Sequence, residues 1–304
     1  MRRSVAQLLD LVAHLVDPLV LERLKGSKFL VRSAVAAAGV GDRRSRTIGP
    51  GVEFADYRDY QPGDDVRYVD RHVFARHGRA VIRQFHVDQQ LRINVLLDAT
   101  ASMTSVDASK FQRARVLAAC AAAVGVFGGD QVRVGAFRDG SIAWHPRLRN
   151  PTGLPRLFRW LSEARPSGDA SLDAVARASA QATAPSDLLL VVSDWMLDGV
   201  EAALSRWSAA RQDVVAVQVL APEEVDPSAI GSGGLRLIDA ESGDSMDVTL
   251  DASDLERYGR ELRSWQSELA ELVTRAGGRW STHVSDQPLD ETLFRAWRRA
   301  GLIT

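Results

Sequence analysis

The chain has 304 residues, 45% of them apolar, enough to bury the core of one large α/β domain with a smaller appendage. Its 38 Lys and Arg nearly cancel 39 Asp and Glu, so no global field favours nucleic acid or an anionic membrane as partner. One cysteine, Cys120, excludes an intrachain disulfide and a cysteine metal cluster, and no run of about 20 apolar residues is present to span a membrane.

Residues 5–24 place Leu8, Leu9, Val12, Leu15, Val16 and Leu19 at three- and four-residue spacings. That periodicity predicts a helix with one buried stripe, bent or divided at Pro18. Arg2 and Arg3 open it like a secretory leader, but Asp10, His14 and Asp17 interrupt the apolar centre and no small-residue cleavage site follows. The expectation is a cytoplasmic protein. Gly49, Pro50, Gly51, Pro62 and Gly63 then punctuate a polar stretch too heavily for long regular elements. Phe54, Tyr57, Tyr60 and Tyr68 mark it as structured loop rather than linker. Residues 79–89 alternate in part and are expected to lead, as a strand, into the main sheet.

From residue 91 the rhythm changes to strand, helix, strand. LRINVLL reads as a continuous apolar strand and Ser109 to Phe127 as a long helix. QVRVGAF and SIAWH flank Arg138-Asp139-Gly140, a hairpin signal. Helices are predicted near 153–164 and 171–183, a buried strand over 187–193, a helix near 199–210 and a strand over 213–220. A hairpin near 235–250, a long helix over 253–276, a strand near 279–284 and a helix near 289–299 complete the chain. Alternating apolar strands and helices predict an α/β fold with a doubly wound, mainly parallel, Rossmann-like sheet over residues 90–304, the hairpin being an insertion. Residues 1–89 are assigned to a helical and loop appendage.

In doubly wound sheets ligands bind beyond the carboxyl ends of the strands. Two strands here run into an aspartate, LRINVLL into Asp98 and DLLLVVS into Asp194. Either alone is explained as the cap of the following turn. Together with the hydroxyls of Thr100 and Ser102 they also suit a hard cation that takes oxygen ligands and keeps several waters.

Asp98-x-Thr100-x-Ser102 resembles the metal-ion-dependent adhesion signature of von Willebrand factor type A domains. The resemblance implies a Mg²⁺ or Mn²⁺ touched directly by Thr100 and Ser102, with Asp194 acting through water. It also expects a threonine from a second loop, where this chain has Ala170; Asp169 and Ser171 are the neighbouring oxygens that would substitute. Trp195, directly after Asp194, is either packed or an exposed interface anchor.

The stretch GPGVEFADYRDYQPGDDVRYVDRHVFARHGRAVIRQF is similar to the hallmark region of the domain of unknown function 58 family. The matching positions are Gly49, Gly51, Glu53 and Phe54; Arg58, Tyr60, Gly63 and Asp64; Arg67, Val69 and Asp70; and Ala75 with Arg76. Arg71 stands where that family usually has tryptophan. Charges at this density build either an ion network around a glycine-rich turn or a recognition face, which makes Arg58, Asp64 and Arg67 candidate interface residues beside Trp195.

An aspartyl phosphotransferase or metal-dependent hydrolase using Asp98 is the alternative, but Thr100 stands where the general acid of the phosphotransferase would be. Gly-x-Ser-x-Gly and Gly-Lys-Ser/Thr are absent, which excludes the common hydrolase elbow and phosphate loop. The leading expectation is a non-enzymatic interaction module. Its family resemblance implies an adaptor for a MoxR-type AAA+ ATPase or its client, with the rim meeting a partner carboxylate.

Overall fold

The computed structural model describes residues 15–31, 44–49, 53–61, 64, 66, 69–88, 90–104, 108–226, 228, 233–238 and 245–304. They fall into two compact units: Leu30–Gln90 forms one, and the described residues on either side of it form the other.

The larger unit is built on six strands: β4 (Arg92–Asp98), β5 (Gln131–Arg138), β6 (Ser141–Trp144), β7 (Leu188–Ser193), β8 (Asp213–Leu220) and β11 (Arg279–Val284). Their spatial order is β6-β5-β4-β7-β8-β11, all parallel except the antiparallel edge strand β6. This is the doubly wound α/β arrangement, with its switch in direction between β4 and β7. The central strands are apolar on both faces, as parallel strands covered by helices must be. Ile93, Val95 and Leu97 of β4 join one core, with Leu190, Val192, Val215 and Val217. The alternate positions Leu96, Leu189, Val191 and Ala216 join the core on the opposite face.

On the first face lies α3 (Ala108–Phe127), whose residues 117–126 are all buried. Small side chains let it approach closely; a Cβ on Gly125 would meet Val132 Cγ2 at 2.5 Å. Helices α1 (Pro18–Leu24) and α4 (Leu154–Glu163) pack against α3. The second face carries α5 (Leu172–Ala180), α6 (Val200–Ala209) and α8 (Ala252–Arg275). A short helix α7 (Pro222–Val225) follows β8, and β9 (Gly233–Ile238) pairs with β10 (Ser245–Leu250) in the inserted hairpin. None of the described helices is long and apolar enough to cross a membrane.

Three expectations are corrected. Pro18 opens α1, capped by Asp17, and Leu15, Val16, Leu24 and Phe29 join the core of the larger unit. These residues therefore do not belong with the expected 1–89 appendage. The glycine-punctuated stretch forms β1 (Arg44–Gly49) and β2 (Glu53–Asp59), which flank β3 (Val81–Asp88) in an antiparallel sheet of order β1-β3-β2. Finally, β3 is the centre of this small sheet and does not join the large one.

Phe29 bridges to Ile303, its ring lies 6.5 Å from that of Trp297, and Thr304 N donates to Lys28 O at 3.0 Å. Phe29→Ala is expected to cost about 3–5 kcal/mol by opening a cavity in this fully buried clasp. Urea unfolding measures the loss, and a cost under about 1 kcal/mol would show that α1 is not part of the core.

Candidate functional site

The two aspartate-ended strands are neighbours at the switch point. Past β4 the chain must turn sharply, and Asp98 makes the turn by accepting from Thr100 N at 2.9 Å and Thr100 Oγ1 at 2.7 Å. Thr100 Oγ1 lies 2.9 Å from Ser102 Oγ, on the short helical turn Ala101–Thr104. From β7, Ser193 Oγ donates to Asp98 Oδ2 at 2.6 Å and accepts from Trp195 N at 2.9 Å. Asp98, Thr100, Ser193 and Asp194 are all fully buried. Burial first, then repulsion from Asp194, pushes Asp98 up to about 7, against the opposing bonds from Ser193 and Thr100.

Asp194 is occupied by a different cation from the one expected. Lys110 Nζ, from the first turn of α3, lies 3.0 Å from Asp194 Oδ2 and 2.6 Å from Glu224 Oε1. Asp194 Oδ1 accepts from Met196 N, and Glu224 Oε2 from Ala221 N. Lys110 is 1% exposed, so its charge is matched by protein rather than water. Burial alone would push the ammonium down, but Asp194 and Glu224 more than offset it and hold Lys110 above the ordinary lysine range. The ends of β7 and β8 are thereby tied to the start of α3.

The second loop does reach the first. Ala101 N donates to Gly168 O and Ser167 N to Ala99 O, each at 2.9 Å. Asp169, however, has an exposed side chain and offers its carbonyl to Asp139 N, while Ser171 Oγ turns to Asp198 O at 3.5 Å. Ala170 is buried and supplies no oxygen. The paired hydroxyls of Thr100 and Ser102 suit a divalent cation, but the absent loop oxygen and the committed Asp194 do not. The set as a whole does not fit the adhesion-type ion. Among the described residues no group of three His, Cys, Asp or Glu is arranged to hold a metal.

Trp195 is no exposed anchor. It is 1% exposed, held at φ 64°, and packs edge-on to Trp280 at 5.6 Å; Met196 is the exposed residue, at 45%. Asp64 accepts from Gln61 N in a turn of the smaller unit. Arg58 lies in β2 opposite Ile82, and Arg67 lies outside the described residues. Asp70 caps α2 (Arg71–His77) through His72 N and Val73 N and accepts from Tyr57 Oη, while Arg71 is exposed at the first position of that helix.

Lys110, Ser193 and Glu224 belong to no motif. A signal existed for two of them: Lys110 is one of three lysines and stands in the first turn of the helix, six positions before the apolar run that opens at Val116, and Glu224 follows the third buried strand much as Asp98 and Asp194 end the first two. Beside Met196 an open cleft of about 1300 Å³ separates the 195–202 segment from α8. Leu262 and Trp265 line it together with Asp198, Glu201 and Glu268.

The family described as "Protein of unknown function DUF58" matches residues 56–267. The uncharacterized proteins Rv1480 of Mycobacterium tuberculosis (strain ATCC 25618 / H37Rv) and Mb1516 of Mycobacterium bovis (strain ATCC BAA-935 / AF2122/97) are each 27% identical over 303 residues, covering 94% of this chain and 92% of theirs. Among solved structures, the conserved hypothetical protein BatB from Bacteroides thetaiotaomicron aligns at 13% identity with TM-score 0.37, covering 62% of this chain and 98% of its own. A von Willebrand factor type A protein from Catenulispora acidiphila aligns at 9% identity with TM-score 0.39, covering 73% and 43%.

The raised Asp98 gives a signed pH dependence. The folded chain keeps a proton on Asp98 up to about pH 7, whereas the unfolded chain releases it near 3.8. This contribution is complete below about pH 4 and is lost as pH rises through about 7, with a slope of up to about 1.4 kcal/mol per unit. Urea unfolding from pH 4 to 8 is expected to show the decline in wild type and to lose it in Asp98→Asn. Parallel pH profiles for the two proteins would exclude Asp98 as the titrating group.

Proposed function

The chain belongs to the DUF58 family, and we propose that it acts as a non-enzymatic protein-interaction module whose contact surface lies over the ends of β4 and β7 and along the cleft beside Met196. The carrying observation is the combination of a sealed centre with an open border. Asp98, the nucleophile of the enzymatic alternative, is fully buried and engaged by Thr100 and Ser193, an arrangement that holds two loops in place rather than presenting a reactive oxygen. Around it, the 45% exposed Met196 and the half-buried Trp265 form an apolar floor beside the centre.

The border is acidic. Its described lining carries five carboxylates, Asp198, Glu201, Glu261, Glu268 and Glu271, against the single guanidinium of Arg275. Complementarity therefore favours a partner segment that sets an apolar side chain on Met196 and Trp265 and basic side chains at the edges. The family resemblance supplies the identity we propose for the partner: a MoxR-type AAA+ ATPase or its client, met in the cytoplasm. A partner carboxylate bridged by metal is not part of this reading, because the centre does not fit the ion.

Calorimetric titration with a purified MoxR-type ATPase from the same organism tests the proposal. Binding is expected, with Met196→Asp weakening it roughly tenfold by placing a charge on the apolar floor, and Glu201→Arg weakening it and flattening its salt dependence by removing one of the carboxylates that attract the partner's basic side chains. Absence of binding, together with phosphatase turnover that disappears in Asp98→Ala, would replace the module with an enzyme.

A further inference from the structure

At the ends of β4, β7 and β8 the fold buries three carboxylates, Asp98, Asp194 and Glu224, and two of them, Asp194 and Glu224, share one ammonium. Buried carboxylates demand a cation or protons, since their charge cannot be left unmatched away from water. The von Willebrand resemblance assigns that role to an exchangeable divalent ion. In this chain both oxygens of Asp194 are already taken, one by Lys110 Nζ at 3.0 Å and the other by Met196 N at 3.0 Å. Glu224 is committed in the same way, to Lys110 Nζ at 2.6 Å and Ala221 N at 2.7 Å. The second loop contributes the methyl group of Ala170, which offers no ligand.

We infer that Lys110 is the resident cation of this site, a charge tethered to α3 that replaces the divalent ion and makes the site independent of metal. Two physical differences follow. A tethered ammonium cannot be chelated or exchanged, so assembly of the loops does not respond to the supply of Mg²⁺. An ammonium also donates hydrogen bonds along a few fixed directions and leaves no open coordination position, so it cannot draw a partner's carboxylate into its shell as a metal would. The site then acts as a permanent rivet joining the ends of β7 and β8 to the start of α3. This holds whatever partner the surrounding surface takes, so failure of the ATPase titration above leaves it standing.

The test is metal titration of the full chain, with inorganic Mg²⁺ and Mn²⁺ as probes. Wild type is expected to give no saturable heat up to millimolar metal and the same Tm in EDTA as in Mg²⁺. Lys110→Met is expected to lower Tm by about 10 °C at neutral pH, because the carboxylates lose their partner. Millimolar Mn²⁺ is expected to restore part of that loss, the metal entering where the ammonium was. Saturable one-to-one binding of Mg²⁺ or Mn²⁺ to wild type, abolished by Thr100→Ala, overturns the inference. A Lys110→Met protein as stable as wild type in EDTA overturns it too. Should Lys110→Met fail to fold, the wild-type titration alone decides, and Lys110→Arg, which keeps the charge, is expected to fold and bind no metal.

Discussion

The buried contact of Lys110 with Asp194 and Glu224 organises the strand ends around the candidate site. Desolvating an ammonium and two carboxylates costs several kcal/mol per ion, and the cost is met only where the geometry is close and the remaining oxygens are hydrogen-bonded. Both conditions hold: the two short contacts to Nζ are accompanied by backbone donors at Met196 and Ala221. Because the three groups come from α3, the end of β7 and α7 after β8, the charge match can form only when helix and sheet are docked. It specifies one arrangement of the strand ends more than it adds stability.

The rest of the site follows from that docking. Asp98 is fully buried, and Asp194 adds a second negative charge beside it, which is why its proton is held so far above the ordinary carboxylate range. Ser193 links the two aspartates' strands, accepting from Trp195 N while donating to Asp98. The backbone reversal at Trp195, with its positive φ, turns the indole inward onto Trp280 and pushes Met196 out to the cleft. A charge pair in the interior thus sets which side chain reaches the exterior. Gln218 extends the same logic, donating to Asp194 O and accepting from Gln266 of α8.

Legibility in the sequence tracked how local each cause was. The strands of the large sheet were readable because parallel strands buried on both faces leave continuous apolar runs, as in residues 213–220, where the predicted span matches β8. The helices between them were readable from the alternation of strand-like and helix-like stretches along the chain. The small sheet was not: β1 and β2 carry Gly and Pro at their borders, and each pairs with β3 through an irregular register, between Arg44 and Ile48 and between Phe54 and Asp56. Those strands exist because a distant segment pairs with them, which no local pattern announces. Trp195 failed for a related reason, since a residue after a strand end is rim or core according to a backbone reversal that its own identity disfavours.

The sequence by itself determined the doubly wound class, the family, and the meeting of Asp98, Thr100 and Ser102 at the end of β4, because hydrophobic periodicity and a strand-terminal motif are properties of neighbours along the chain. Only the tertiary structure decided what those residues face. Lys110, twelve positions after Asp98, and Glu224, beyond a third strand, reach Asp194 by helix docking and sheet order. Charge matching in a dry interior depends on distance in space, not on distance along the chain.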